Sequence, residues 1–190
     1  MDKNEIGLAG EFFVLAQLAR QGYIATLTLG HAKGVDILVS DSRFKSLYRL
    51  EVKTTQKGTH YERLFGKSKF YGWPMSLKHE SMRDDNLYYC FVCLGNIDEM
   101  PKFFIVPSKK VAKYVRWQHR YWLKSRGLKK DVTTMRRFRI PAHDPDGYLN
   151  NWKVFGLFAD LCGRGSGPGT GFVQWQRGRT RFAPARKTVT

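Results

Sequence analysis

Two short apolar segments with charged residues inside them constrain this chain more than any other feature. Segments 34–39 and 47–54 are rich in β-branched, aromatic and aliphatic residues and are bounded by turn-forming or polar residues, which predicts two strands. Side chains alternate between the two faces of a strand, so Glu51 and Lys53 project to the same face. Asp36 is the only charged residue of the first segment. Both predicted strands therefore carry charge where apolar residues are expected.

The polar linker 40–46 allows the two strands to pair as a hairpin. Asp36, Glu51 and Lys53 then converge at one end of the sheet. Two carboxylates and one ammonium buried together are costly unless another group compensates them. Hard carboxylate oxygens with open water positions suit Mg²⁺, and Mn²⁺ is expected to substitute for it. The alternative is an ordinary Glu51–Lys53 ion pair on a solvated strand face, which leaves Asp36 unexplained.

A third acidic residue precedes these strands. Residues 5–21 predict an amphipathic helix that ends at Gly22. Its predicted apolar face consists of Leu8, Phe12, Leu15, Leu18 and Ala19. Glu11 falls in the middle of that face, where a carboxylate needs a partner. Glu11 either caps or bridges within the fold, or it is an acid delivered into the site of Asp36 and Glu51.

The net charge indicates the class of partner. The chain has 33 Lys and Arg against 16 Asp and Glu, a formal charge of +17. Such an excess favours a polyanion, most commonly nucleic acid, without separating DNA from RNA or an enzyme from a coating protein. The chain has no long uncharged apolar run and no signal-peptide pattern, so we expect a soluble cytoplasmic protein with no membrane contact.

Basic residues cluster in two places that predict nucleic-acid contacts. His31 and Lys33 lie in a glycine-flanked loop just before Asp36, where they would either touch a phosphate or be simply solvated. Ser108 is expected to cap a helix that runs to about residue 124. One stripe of that helix is basic and contains no acid: Lys109, Lys113, Arg116, Arg120 and Lys124. A solvated face usually mixes signs, so the stripe is predicted to face phosphates.

Two further segments leave alternatives open. Residues 57–83 interleave basic and aromatic side chains, which fits either a loop that tracks a phosphate backbone or a hairpin whose aromatics pack on the sheet. Cys90 and Cys93 form a C-x-x-C inside an apolar run with no second ligand pair. We interpret them as buried thiols of a core strand, in preference to a zinc or redox site.

The remaining strand and helix signals complete the predicted fold class. Strands are predicted at 23–29, 34–39, 47–54, 87–94 and 102–107. They indicate an α/β domain with a mixed central sheet of about five strands, flanked by helices. A further strand is predicted at 131–140. A last helix is predicted to begin at Asp146 or Asn150. It would cover either the sheet or a partner subunit, so a homodimer is one of the alternatives.

The composition changes after Cys162. Residues 163–190 are rich in glycine and contain six Lys or Arg and no Asp or Glu. We therefore predict one folded domain over 1–162 and a Gly-rich basic tail over 163–190. The tail either adds nonspecific nucleic-acid affinity or is an extension without a role.

The helix with Glu11, the Gly34-Val35-Asp36 turn and Glu51-Val52-Lys53 together resemble the core of the PD-(D/E)XK nuclease superfamily, the restriction-endonuclease-like fold. Their spacing is similar to that of the archaeal Holliday-junction resolvases. The resemblance covers roughly residues 5 to 56, and Val35 stands where the motif often has proline. It implies that Asp36 and Glu51 hold the metal with the backbone carbonyl of Val52. Lys53 would orient or deprotonate the attacking water, and Glu11 would support a second metal or fix the site.

Residues and resemblance together predict a Mg²⁺-dependent endonuclease that hydrolyses phosphodiester bonds, with DNA as the expected substrate. Such hydrolysis needs a water of lowered pKa and a counter-charge for the phosphorane, both of which a carboxylate-bound Mg²⁺ supplies. Two alternatives remain: a nucleic-acid-binding module that keeps the fold without chemistry, and a nuclease acting on RNA.

Overall fold

A mixed sheet and the helices that flank it form the centre of the fold. A computed structural model describes residues 2–28, 34–41, 44–61, 68–129 and 131–156. In chain order the elements are α1 (Lys3–Arg20), β1 (Ile24–Leu27), β2 (Ile37–Ser40), β3 (Leu47–Thr55), β4 (His60–Tyr61), β5 (Lys69–Ser76), a 3₁₀ helix (Leu77–Glu80), β6 (Leu87–Cys93), β7 (Lys102–Pro107), α2 (Ser108–Ser125), β8 (Met135–Pro141) and a second 3₁₀ helix (Trp152–Phe155). The predicted α/β class is confirmed.

The central sheet has five strands in the order β1-β2-β3-β6-β7. The first three pair antiparallel, so the predicted hairpin is present, with Ile37 opposite Leu50 and Ser40 opposite Leu47. β3 and β6 pair parallel, and β6 and β7 pair antiparallel. Parallel neighbours need a long crossover. Here the crossover carries β4, β5 and the 3₁₀ helix Leu77–Glu80, called the 77–80 helix below.

The two faces of this sheet are covered by different elements. α1 packs Val14 and Leu18 on one face, in a cluster that includes Cys90. α2 and a second sheet pack on the other face, in a cluster that includes Cys93. Residues three apart in a strand point to opposite faces, so the two thiols do not share a site. Both are free and buried, and burial raises the pKa of each, which confirms that they are core residues.

A second sheet of three strands, in the order β4-β5-β8, packs against the first. The strand predicted at 131–140 is present as Met135–Pro141 and pairs with β5. Tyr71 and Trp73 of β5 are buried against the central sheet, and Trp73 Nε1 donates a hydrogen bond to the carbonyl of Val92 at 3.0 Å. For these residues the interpretation as a hairpin packed on the sheet is correct. Residues 62–67 lie outside the described ranges.

The predicted packing face of α1 is correct only in part: Leu18 is buried and Leu15 packs against the core, whereas the other predicted members of the face are exposed. Leu8 is 50% exposed and Phe12 is 55% exposed, whereas Gly10, Val14 and Leu18 are buried. The helix is rotated because Gly10 allows a close approach to β3: a Cβ atom added there would lie 1.9 Å from Thr54 Oγ1. The apolar stripe of the helix therefore showed only part of the side that packs.

Two predicted boundaries near the end of the described chain also change. Pro107 is the N-cap residue of α2, and the Ser108 hydroxyl instead bonds to Asp84, donating to its carbonyl at 2.7 Å. The predicted last helix is reduced to the 3₁₀ helix Trp152–Phe155 within the described residues. Cys162 and the tail 163–190 lie outside those residues. Within the described ranges, neither α-helix has the length and apolar character needed to cross a membrane.

Replacing Gly10 by Ala should destabilise the protein, although alanine is the better helix former. The added methyl group would overlap Thr54, and overpacking of this kind costs about 1–3 kcal/mol. Gly7→Ala is the matched control, because nothing lies within 4 Å of its added Cβ, and it should stabilise by up to about 1 kcal/mol. Urea unfolding of both variants checks this. If both variants change the free energy of unfolding by the same amount and in the same direction, α1 does not approach β3 this closely.

Candidate catalytic site

The candidate site lies where β2 begins and one edge of β3 is left without a strand partner among the described residues. Arg49 and Thr55 bond through their backbones towards β6, whereas the Leu50 carbonyl accepts from the Asp36 amide at 2.8 Å. Backbone groups alternate along a strand, so the amide and carbonyl of Val52 both face the β2 side. There Asp36 Oδ2 accepts a hydrogen bond from the Val52 amide at 2.6 Å. The carboxylate takes the place of a strand partner, and the Val52 carbonyl faces the same region.

Gly34 brings the chain over this edge. Its φ of +79° lies in the left-handed region that favours glycine. A Cβ atom there would lie 2.5 Å from Met82 Cε, the end of a flexible side chain, and 3.5 Å from Glu51 Oε2, an ordinary contact distance. The backbone conformation is therefore the reason for glycine at the turn just before Asp36.

Glu51 is the most enclosed charged group of the site, with 1% of its surface exposed. Its Oε1 lies 2.7 Å from Lys53 Nζ, 3.1 Å from His79 Nε2 and 3.6 Å from Lys78 Nζ. Its Oε2 is buried and makes no hydrogen bond to any described residue. Three nitrogen atoms therefore surround one oxygen, while the other keeps its capacity for a further ligand.

These contacts keep Glu51 ionised. Burial acts to raise its pKa, but the hydrogen bond from His79 and the charge and hydrogen bond of Lys53 outweigh burial and lower the pKa to about 2. The carboxylate is therefore negatively charged at neutral pH, although it is buried.

The other two predicted acids behave in the opposite way. Burial is the main cause that raises the pKa of Glu11, followed by the charge of Asp36. Burial likewise raises the pKa of Asp36, and Glu51 adds to it, against the lowering by the Val52 amide and Lys53. The four predicted side chains therefore lie within electrostatic range of one another. Negative charge at Glu11 and Asp36 is less than fully compensated by the protein itself.

His79 was missed in the sequence. The Ser76 amide donates a hydrogen bond to His79 Nδ1 at 2.9 Å, so we infer that Nε2 carries the proton and donates to Glu51. The sequence feature that could have identified it is the spacing Ser76-x-x-His79 at the start of a short helix. With this spacing the His79 side chain can bond to the backbone amide of Ser76, the N-cap residue. The neighbouring Tyr89 phenol has a raised pKa, first from burial and then from the charge of Glu51.

The donor atoms fit Mg²⁺ better than a transition metal. Within the described ranges, no three His, Cys, Asp or Glu side chains form a group that could hold a metal ion by themselves. Mg²⁺ needs fewer protein ligands, since it commonly keeps several waters and binds through one or two carboxylates. Glu51 Oε2 is a buried oxygen without a hydrogen-bond donor among the described residues, and Asp36 and the Val52 carbonyl face the same edge of β3.

The predicted nucleic-acid contacts divide into three groups. His31 and Lys33 lie outside the described residues. On α2, Lys109 pairs with Asp85, and Arg116 bonds to Glu80, whose carbonyl accepts from Nη2 at 3.2 Å. The rest of the predicted stripe is exposed and forms no ion pair with a described residue; its members are Lys113, Arg120 and Lys124.

Comparisons with known proteins add little to this picture. No protein-family model matches the chain, and no curated protein matches its sequence. Among solved structures the chain is similar to a bacterial homing endonuclease, I-Ssp6803I, at 12% identity and a TM-score of 0.47, over 80% of this chain and 90% of that one. A likeness at this level shows neither a shared family nor a shared activity. Membership of the PD-(D/E)XK superfamily stays a prediction.

The stability contributed by Glu51 should depend on pH. A carboxylate whose pKa falls from 4.5 to about 2 on folding stabilises the protein above pH 4.5, and this contribution is lost as the pH falls towards 2. Lowering the pH from 6 to 3 should therefore reduce the free energy of unfolding of the parent by about 2 kcal/mol more than that of Glu51→Gln. Urea unfolding across this range measures it. If the difference in the free energy of unfolding between the two proteins does not change with pH, the contacts of Lys53 and His79 do not lower the pKa of Glu51.

Proposed function

We propose that this chain is a Mg²⁺-dependent endonuclease that hydrolyses phosphodiester bonds in DNA. The observation that supports this most is the state of Glu51, whose Oε1 is held by Lys53 and His79 while its buried Oε2 has no hydrogen-bond donor among the described residues. Asp36 lies beside it with a raised pKa. A cation site requires a carboxylate oxygen of this kind.

Asp36, Glu51 and the carbonyl of Val52 would hold the cation. When bound, Mg²⁺ would polarise a phosphoryl oxygen and lower the pKa of a coordinated water. Glu11 would add a further carboxylate at the margin of the site, either directly or through water. The raised pKa values of Glu11 and Asp36 fit this role, because a cation would offset both the burial that mainly raises them and the repulsion between the acids.

Lys53 would act on the reacting groups directly. Its ammonium is held 2.7 Å from Glu51, and its side chain remains 27% exposed, so a substrate phosphate can reach it. As an ammonium it would orient the attacking water and stabilise the negative charge of the phosphorane, and it would accept the water's proton only after losing one of its own. Lys78 is 54% exposed beside the same carboxylate oxygen and would contact a phosphate oxygen of the substrate. His79 is buried and would position Glu51 without touching the substrate.

The surface charge supports a nucleic acid as substrate. Arg116 of α2 bonds to Glu80 of the 77–80 helix, which places the basic stripe next to the helix that carries His79. Lys113, Arg120 and Lys124 would bind backbone phosphates there. A binding module without chemistry is the second candidate, favoured by the lack, among the described residues, of a three-ligand group of acidic, histidine or cysteine side chains.

Lys53→Met separates the two candidates. The substitution leaves the proposed metal ligands in place, so DNA binding should persist while single-turnover cleavage falls by about a hundredfold to ten-thousandfold, the contribution of a positioned acid or base. Lys45→Met is the matched control, because Lys45 lies at the opposite end of the β2–β3 hairpin and should leave the rate unchanged.

The assay uses supercoiled, branched and single-stranded DNA and a structured RNA, each with Mg²⁺, with Mn²⁺ and with a chelator. Cleavage of RNA alone would overturn the assignment to DNA. If the parent cuts no substrate, and Lys53→Met changes only the melting temperature, the binding module is the better description.

A further inference from the structure

A cavity away from the candidate catalytic site is lined by basic side chains. It has a volume of about 630 Å³ and lies between the C-terminal half of α2 and β8. Four arginines and one histidine line it, namely His119, Arg126, Arg136, Arg137 and Arg139, and no Asp or Glu of the described ranges does. Sites for small ligands commonly have volumes of about 300–1,000 Å³, so the cavity has room for one or two nucleotide units.

The floor of this arginine cavity is held rigidly. Arg136 is 2% exposed, and its Nε pairs with Glu80 while Nη2 lies 3.3 Å from Asp131 Oδ2. Its Nη1 donates to the carbonyl of Thr133 at 2.9 Å. Asp131 also bonds to His119 Nε2, and His119 is 4% exposed. Buried charges of this kind are costly to build unless they are paired, and here two carboxylates fix the imidazole and the guanidinium in place.

The rim of the cavity keeps uncompensated charge. Arg126 and Arg137 are exposed, and neither forms an ion pair with a described residue. Arg139 lines the wall and is 5% exposed. Guanidinium groups are planar multiple donors that match phosphate oxygens, so a wall and rim of arginines are suited to a phosphate.

Aromatic side chains stand next to these arginines. Trp122 lines the cavity and stacks on His119, with ring centroids 5.6 Å apart and planes at 23°. Tyr61 also lines the cavity and is 66% exposed. Nucleic-acid sites combine basic groups for the backbone with aromatic rings for bases or sugars. The cavity, which is open to solvent on one side, offers both.

We infer that the arginine cavity binds a phosphate-bearing nucleotide unit of the substrate strand, next to the site of cleavage. The inference rests on the proposed function and adds a substrate-binding subsite to it. The 77–80 helix joins the two sites, because Glu80 pairs with Arg136 of the cavity while the adjacent His79 bonds to Glu51. A strand seated in the cavity therefore lies one short helix away from the proposed catalytic carboxylates.

The test measures the binding of a fluorescein-labelled single-stranded DNA of 20 nucleotides in the presence of a chelator, with no cleavage. The double variant Arg126→Gln/Arg137→Gln should bind the strand about tenfold more weakly. The slope of the logarithm of the binding constant against the logarithm of the salt concentration should become shallower by about 0.7 for each phosphate that the variant no longer binds. The matched control, Arg20→Gln/Lys45→Gln, removes the same charge from the C-terminal end of α1 and the far end of the β2–β3 hairpin, and should change affinity less than about twofold. Equal affinities of the two double variants would overturn the inference.

Two further arms identify the ligand and the residue. Deoxyadenosine monophosphate should compete with the labelled strand in the parent and not in the cavity variant. If the monophosphate loses its binding in that variant while the strand keeps its affinity, the cavity serves a free nucleotide and the assignment to the strand is wrong. Trp122→Phe should remove most of the quenching of tryptophan fluorescence by the unlabelled strand, and unchanged quenching would overturn the assignment to this cavity.

The binding assay and the catalytic assay can fail separately. If the parent protein cuts no substrate but the cavity variant loses strand binding, the proposed function fails and the subsite remains. If the parent cuts DNA while the cavity variant binds and cuts as the control does, the subsite alone is wrong. The rim arginines are exposed, so the variant is expected to fold, and its melting temperature checks this.

Discussion

The buried Glu51 carboxylate, held by Lys53 and His79, is the interaction on which this structure depends. Enclosing a charged group in a sheet is costly, and here the ammonium and the imidazole offset that cost strongly enough to lower the pKa of Glu51 to about 2. The turn at Gly34 encloses the same carboxylate from the other side. The start of β2, the open edge of β3 and the 77–80 helix are therefore all arranged around one side chain.

The 77–80 helix links two polar networks of different chemistry. His79 belongs to the network of Glu51, and Glu80 belongs to the network of Arg116 and Arg136. The first network presents carboxylate oxygens, which suit a cation, and the second presents guanidinium groups, which suit a phosphate. Adjacent cation and phosphate sites are what a metal-dependent reaction at a phosphodiester requires.

The parts that could be predicted from the sequence are those set by local pattern. The two apolar segments and the polar linker 40–46 predicted the β2–β3 hairpin, and alternation along β3 predicted that Glu51 and Lys53 share a face. The side of α1 that packs could be predicted only in part: Leu15 and Leu18 pack as expected, but the rotation of the helix depends on a contact between Gly10 and Thr54, which lie far apart in the chain. The burial of Arg136 could not be predicted either. Its partner Glu80 lies 56 residues away in the chain, and a charged residue in a strand is ordinarily exposed.

Calorimetric titration of Mn²⁺ into the parent protein and into Asp36→Asn tests the central claim most directly, because it asks whether the clustered acids are a cation site. The account predicts binding of about one ion that Asp36→Asn abolishes, with an affinity that falls as the pH is lowered, since the raised pKa values of Glu11 and Asp36 make protons compete with the metal. Identical isotherms for the two proteins, or an affinity that does not change with pH, would contradict it.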